Sequence, residues 1–126
     1  MVRTLDVRAD GVVAARLGLE ESTPLVHLER LRLADAEPLA VDRVWLPEHL
    51  AAPLLDVDFG RTALYTEYAA RCGMRVTGGS ERIRAMVPDE AVRGLLGIGS
   101  GVAAFAIDRL GCAGEQPVEW LSLIHI

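Results

Sequence analysis

Lysine is absent from the sequence, and all 13 basic residues are arginines. Acidic residues number 18, so the formal net charge is −5 at pH 7. A domain that binds DNA by itself is usually basic, because neutralising backbone phosphates supplies most of its affinity. The charge balance therefore predicts that this chain alone does not bind DNA.

Cysteine and histidine are scarce. The two cysteines, Cys72 and Cys112, fit neither a CxxC motif nor a metal-site spacing. The three histidines, His27, His49 and His125, also lack metal spacing, and no glycine-rich phosphate loop occurs. We therefore expect no metal and no cofactor, and two free thiols of the kind found in a reducing compartment.

A secretory leader and a membrane span are lacking too. Residues 1–10 contain no apolar core of a signal peptide. The longest apolar runs, such as residues 102–107, are far too short to cross a bilayer. The expectation is a soluble, cytoplasmic protein without a membrane partner.

The chain is long enough for one globular domain that spans residues 1–126. Its 126 residues are 51% hydrophobic and 25% charged, with no internal repeat and no linker-like segment. Its predicted elements, in order, are a helix over 10–18, strands over 25–33 and 39–46, a helical turn over 48–55, a helix over 62–72, a strand over 74–87 with a bulge or bend at Gly78–Gly79, a helix from Pro88 to Gly97, and strands over 102–110 and 117–126. Short connections favour an α+β fold with a largely antiparallel sheet and helices packed on one face.

Two arginines stand two residues apart on the first strand of the predicted hairpin. Arg30 and Arg32 therefore project from one face, where paired guanidinium groups suit a phosphate or carboxylate. The alternative is a solvated face of paired charges. A two-residue loop would set Asp42 against Glu29, which is an unfavourable like-charge pair. We therefore expect a three-residue loop over 35–37, with Asp42 opposite Arg30.

Five short segments, met in the right order, resemble the UTRA domain, the effector-binding domain of GntR-type regulators of the HutC subfamily. They are Ala14–Gly18 (AARLG), the hairpin Leu28–Asp35 with Glu37–Ala40, the pair Leu64–Tyr65, the stretch Leu95–Ile98 and the triplet Pro117–Glu119. The resemblance covers nearly the whole chain.

The resemblance implies a chorismate-lyase-like fold and a sensor of a small anionic metabolite, such as a phosphosugar, phosphonate or organic acid. It implies a homodimer in which ligand binding rearranges the two protomers and so controls DNA binding. In the family a winged helix-turn-helix domain reads DNA; we expect no such domain within these residues, so that the chain is either a lone sensor domain or a fragment of a longer regulator. The domain is then not an enzyme. Two alternatives remain: a dimerisation module with a degenerate pocket, and a chorismate-lyase-like enzyme.

Five residues form the effector site that the resemblance implies: Arg30, Arg32, Asp42, Thr62 and Glu119. Asp42 either accepts a hydrogen bond from the ligand or only pairs with Arg30. Thr62 either replaces a serine that the family has where Ala63 stands, or caps the helix. Glu119 either binds ligand or forms a structural ion pair.

The end of the chain departs from the family pattern. The family continues after Trp120 with a polar, arginine-bearing strand, whereas residues 121–126 are apolar. We therefore expect an atypical or truncated C-terminus, exposed as an apolar tail.

Overall fold

The computed structural model describes all 126 residues. Its elements are β1 (Val2–Arg8), α1 (Gly11–Arg16), β2 (Leu25–Ala34), β3 (Glu37–Pro47), α2 (Glu48–Ala51), a 3-10 helix (Ala52–Asp56), α3 (Leu64–Cys72), β4 (Gly78–Met86), α4 (Glu90–Leu96), β5 (Ala104–Ala113) and β6 (Gln116–His125). The six strands form one antiparallel sheet in the order β1-β2-β3-β6-β5-β4. The predicted α+β class with an antiparallel sheet is confirmed.

Helices cover both faces of the sheet, so the expectation of a single covered face is wrong. On one face, here called the front, α2, the 3-10 helix and α3 bury the main core, which includes Val26, Leu28, Val44, Leu54 and Tyr68. On the back face, α1 packs through Val13 and Leu17, and α4 packs through Val92 and Leu96. The physical reason is the period of the strands: Leu25 and Leu31 alternate with Val26 and Leu28, so both faces of β2 are apolar in part.

The first hairpin has the predicted register but a different turn. Arg30 lies opposite Asp42 and Glu29 opposite Arg43, as the charge argument required. The turn nevertheless has two residues, Asp35 and Ala36, both with positive φ. Positive φ at both central positions is typical of a type I′ turn. A bulge gives the predicted register in spite of the shorter turn. Arg32 pairs with Ala40 and Leu33 pairs with Pro38, so Leu39 is the extra, unpaired residue.

This turn predicts a stabilising substitution. Ala36 has a φ of 66°, a conformation that favours glycine over alanine, and Asp-Gly is a preferred type I′ pair. We expect Ala36→Gly to raise the free energy of unfolding by about 0.5–1 kcal/mol, as measured by denaturant titration. The control is Ala34→Gly, two residues earlier in β2, which should lower stability. Equal losses in both variants would contradict the turn assignment.

Several boundaries differ from the predicted ones. Strand β1 was not predicted, although it pairs with β2 along its whole length. Strand β4 begins at Gly78, and pairing with β5 stays in register through both glycines, so no bulge interrupts it there. The irregularity lies instead between Gly111 and Cys112 of β5, opposite Glu119 and Pro117.

The apolar C-terminal segment lies within the sheet. Leu121 to His125 pair with both β3 and β5, so this part of the chain is the inner strand β6 and not an exposed tail. Leu121 is buried and Leu123 packs against the main core. An inner strand with cover on both faces explains why this stretch is apolar.

Candidate functional site

A cavity of about 640 Å³ opens on the front face, beside the N-terminus of α3. Its walls come from β2, the loop that precedes α3, the first turn of α3, β5 and β6. The lining residues with polar side chains are Arg30, Arg32, Arg61, Thr62, Tyr65, Arg109 and Glu119. This volume lies within the range of small-molecule sites.

The predicted arginine pair forms one wall of the cavity, and Asp42 holds it from behind. Nε of Arg30 donates to Asp42 Oδ1 at 2.8 Å, and Nε of Arg32 donates to Oδ2 at 2.5 Å. The Asp42 side chain is fully buried and does not line the cavity, whereas Arg30 is 15% and Arg32 53% exposed. Neither guanidinium makes another side-chain hydrogen bond, so their Nη groups are available to a ligand.

Thr62 lines the cavity but does not cap α3, so the capping prediction is wrong. The cap position is taken by Ala63, which has no side-chain acceptor, and no side chain caps the helix. The first amide N–H groups of α3 therefore lack a capping partner at the cavity wall. Such groups favour an anion.

Glu119, on β6, also lines the cavity and is 1% exposed. It accepts a hydrogen bond of 2.5 Å from the Tyr65 hydroxyl on α3. Burial raises the pKa of Glu119 above its ordinary value, while the Tyr65 hydrogen bond and the charge of Arg109 act in the opposite direction. Burial and the bond to Glu119 raise the pKa of Tyr65 to about 12, so the phenol stays a proton donor at neutral pH.

The structure brings Arg30, Arg32, Thr62 and Glu119 to one cavity, and it adds residues that sequence reasoning missed. Tyr65 and Arg109 are the main additions: Arg109 Nη1 donates to the Tyr65 hydroxyl at 3.5 Å. Arg61, on the loop before α3, is 87% exposed and pairs with Asp58. Tyr65 could have been suspected from its place after Leu64 at a helix start, whereas no local pattern marks Arg109.

No group of three or more potential metal ligands comes together. Cys72 and Cys112 are both free thiols. No helix has the length and apolar character that crossing a membrane would need.

Fold and cavity define an α+β domain with a polar, arginine-walled cavity on one face of an antiparallel sheet. The UTRA domain family matches residues 2–126, and the chain belongs to that family. The resemblance inferred from the five short segments is thereby confirmed.

Two similar proteins of known class are transcription regulators. The HTH-type transcriptional regulator GmuR of Bacillus subtilis is 25% identical over 114 residues, which cover 90% of this chain and 41% of GmuR. The HTH-type transcriptional repressor PhnF of Mycolicibacterium smegmatis is 27% identical over 110 residues, which cover 87% of this chain and 45% of PhnF. The chain thus spans less than half the length of these relatives.

A solved structure shows the same fold. The C-terminal domain of the histidine utilization repressor from Pseudomonas syringae pv. tomato superposes with a TM-score of 0.93 at 23% identity, over 99% of this chain and 88% of that one. This likeness supports the fold assignment. The link to transcription regulators rests on the family match and on the two relatives named above, and not on this structure.

Proposed function

We propose that the cavity binds a small anionic effector, such as a phosphosugar, phosphonate or organic acid. The main support for this proposal is the arginine pair of β2. Buried Asp42 fixes the Nε atoms of Arg30 and Arg32, while their Nη groups make no side-chain hydrogen bond and remain available at the cavity wall. Fixed guanidinium groups bind phosphate or carboxylate with little further ordering cost. Arg30, Arg32 and Thr62, together with the uncapped start of α3, form the anion end of the site.

A second part of the proposed site, formed by Glu119 and Tyr65, recognises the rest of the ligand. Glu119 uses one oxygen for Tyr65, which leaves the second oxygen for a hydroxyl or amine of the effector. Asp42 contributes indirectly, by orienting both arginines. Of its two roles left open by the sequence, the ion pair is therefore the one we adopt.

Replacing Arg30 tests this site. We expect Arg30→Ala to weaken binding of an anionic effector by roughly 1.5–3 kcal/mol, which is about ten- to a hundredfold, because a charge-assisted contact is lost. The measurement is a thermal-shift screen of phosphosugars and organic acids on both proteins, followed by calorimetry on any ligand found.

The matched control is Arg43→Ala. Arg43 sits on the same hairpin but on the back face, where it pairs with Glu29 at 2.7 Å. Its loss should leave ligand affinity within about twofold. A ligand that stabilises wild type and Arg30→Ala equally would place the effector site elsewhere.

We further propose that the domain is a homodimer that controls a DNA-binding domain outside this chain. Strand β4 is an open edge of the sheet, and every residue from Gly78 to Ala85 is exposed. Ile83 is 62% exposed, and Phe105 on the adjacent strand β5 is 57% exposed. An open edge beside apolar side chains suits pairing with a second copy, and effector binding would then act through the dimer arrangement.

The dimer is tested by light scattering at micromolar concentration. We expect wild type to be a dimer and Ile83→Asp to shift it to monomer, because a charge would have to be buried in the interface. Val12→Asp is the control, since Val12 is 64% exposed on α1 at the back of the sheet. A monomeric wild type, or dissociation by both variants, would refute the β4 interface.

Two other functions are less well supported. A dimerisation module with a degenerate pocket is disfavoured because it does not require a cavity of about 640 Å³ lined by arginines with free Nη groups. A chorismate-lyase-like enzyme is disfavoured because the relatives with curated functions are transcription regulators. Release of 4-hydroxybenzoate from chorismate by the purified chain would reverse this choice.

A further inference from the structure

Arg109 stands between two cavities. It lines the large front cavity, and it also lines a smaller one of about 200 Å³ formed with Gly78, Gly79, Ser80, Glu81 and Leu110. No other residue lines both. Arg109 therefore connects the proposed effector site with the edge strand β4.

The contacts of Arg109 are long and divided between the two sides. Nη1 donates to the Tyr65 hydroxyl at 3.5 Å, and Nε lies 3.4 Å from Glu81 Oε2, its cross-strand neighbour on β4. Both distances are at the outer limit of hydrogen bonding. The side chains of Arg109 and Glu81 are 38% and 41% exposed, so the pair is also screened by water and holds Arg109 weakly.

We infer that Arg109 is a movable ligand contact, which leaves Glu81 and turns into the front cavity when an anionic group of the effector occupies it. The inference rests on the proposed function, to which it adds a route from the cavity to strand β4. The exchange is favourable because a partly enclosed anion gives a guanidinium shorter and less screened hydrogen bonds than Glu81 does. Tyr65 keeps its proton and its bond to Glu119, so it remains as a fixed wall while Arg109 moves.

The exchange has a consequence for the edge strand. β4 pairs only with β5, and its residues from Gly78 to Ala85 are exposed, so its side-chain links to the rest of the domain are few. Besides the Glu81–Arg109 pair, a single cross-strand ion pair joins the two strands, Arg84–Asp108 at 4.0 Å on the back face. Loss of the front pair on binding would leave Arg84–Asp108 as the one side-chain ion pair between β5 and β4, the edge that we assign to the dimer.

A double-mutant cycle on the intact chain tests the exchange, with inorganic phosphate as the probe and isothermal calorimetry as the readout. We expect Glu81→Gln to bind phosphate about two- to fivefold more tightly, because Arg109 no longer has to give up an ion pair. Arg109→Ala should weaken binding. In the Arg109→Ala background the gain from Glu81→Gln should vanish. Asp108→Asn, which breaks the back-face pair, is the matched control and should change affinity less than twofold.

The outcomes separate the possible failures. If Glu81→Gln gives the same gain with and without Arg109, the gain is long-range electrostatics and the inference is wrong. If binding depends on Arg30 but not on Arg109, the inference fails while the proposed function stands. If wild type does not bind phosphate, or binding ignores Arg30, both fail.

Hydrogen exchange gives a second readout. Phosphate should speed amide exchange in β4 of wild type, and it should leave β4 unchanged in Arg109→Ala. Identical responses in the two proteins would exclude the link to the edge strand.

Discussion

Asp42→Ala is expected to lower the free energy of unfolding by about 2–4 kcal/mol. Removal of one partner from a fully buried ion pair costs about 3–5 kcal/mol, because the other charge stays uncompensated. Asp42 is fully buried and the Arg30 side chain is 15% exposed, but Arg32 is 53% exposed and can be rehydrated. The expected loss of unfolding free energy is therefore lower than for a pair buried on both sides. Urea or guanidinium titration measures the loss directly.

The same substitution is expected to increase stabilisation by a simple anion. Without Asp42, Arg30 and Arg32 are two like charges side by side, and phosphate in the front cavity can replace the missing carboxylate. The rise in melting temperature on addition of phosphate should therefore be larger for Asp42→Ala than for wild type. A smaller rise would mean that losing the anchor of Arg30 and Arg32 weakens phosphate binding more than removing the negative charge of Asp42 strengthens it.

Glu29→Ala supplies the control for both effects. Glu29 also accepts from two arginines, Arg43 at 2.7 Å and Arg3 at 3.3 Å, one position away on the same strand but on the back face. Its partners are 35% and 39% exposed, so we expect a loss of only about 1 kcal/mol. Phosphate should not compensate for that loss, because this pair lies away from the cavity.

The hairpin and its charged residues could be predicted from the sequence because they depend on local rules. Strand alternation put Arg30 and Arg32 on one face, and the avoidance of a Glu29–Asp42 contact selected the observed register. The turn itself was predicted wrongly, since a bulge at Leu39 adds the residue that the loop was expected to hold. A bulge next to the turn changes the turn length and leaves the pairing of Glu29 and Arg30 unchanged, so the charges of these residues do not indicate it.

The contribution of Arg109 to the cavity wall could not be predicted because it depends on sheet order. Arg109 meets Tyr65 only because β6 pairs with both β3 and β5, and this places β5 beside a wall built mainly from β2 and α3. Nothing in the neighbourhood of Arg109 in the sequence indicates such a contact. The same long-range order explains why residues 121–125, which the predicted strand over 117–126 contains, lie inside the sheet although this end of the chain was expected to be exposed.

Gly79→Ala is expected to give the second large effect, a loss of about 3 kcal/mol or more with disruption of β4. Gly79 has a φ of 148°, and a Cβ there would lie 1.8 Å from the carbonyl oxygen of Leu110. Backbone strain of this kind costs about 1–3 kcal/mol, and the clash with a backbone atom can be relieved only by moving β4 away from β5. We expect denaturant titration to report the loss, and light scattering to report a weaker dimer if β4 forms the interface.

Gly78→Ala is the matched control: a Cβ at Gly78 would meet no atom within 4 Å, and its φ is not positive. It should change stability by less than about 1 kcal/mol. Equal effects of the two substitutions would show that flexibility at the start of β4, and not the close approach at Gly79, is what the glycine pair provides.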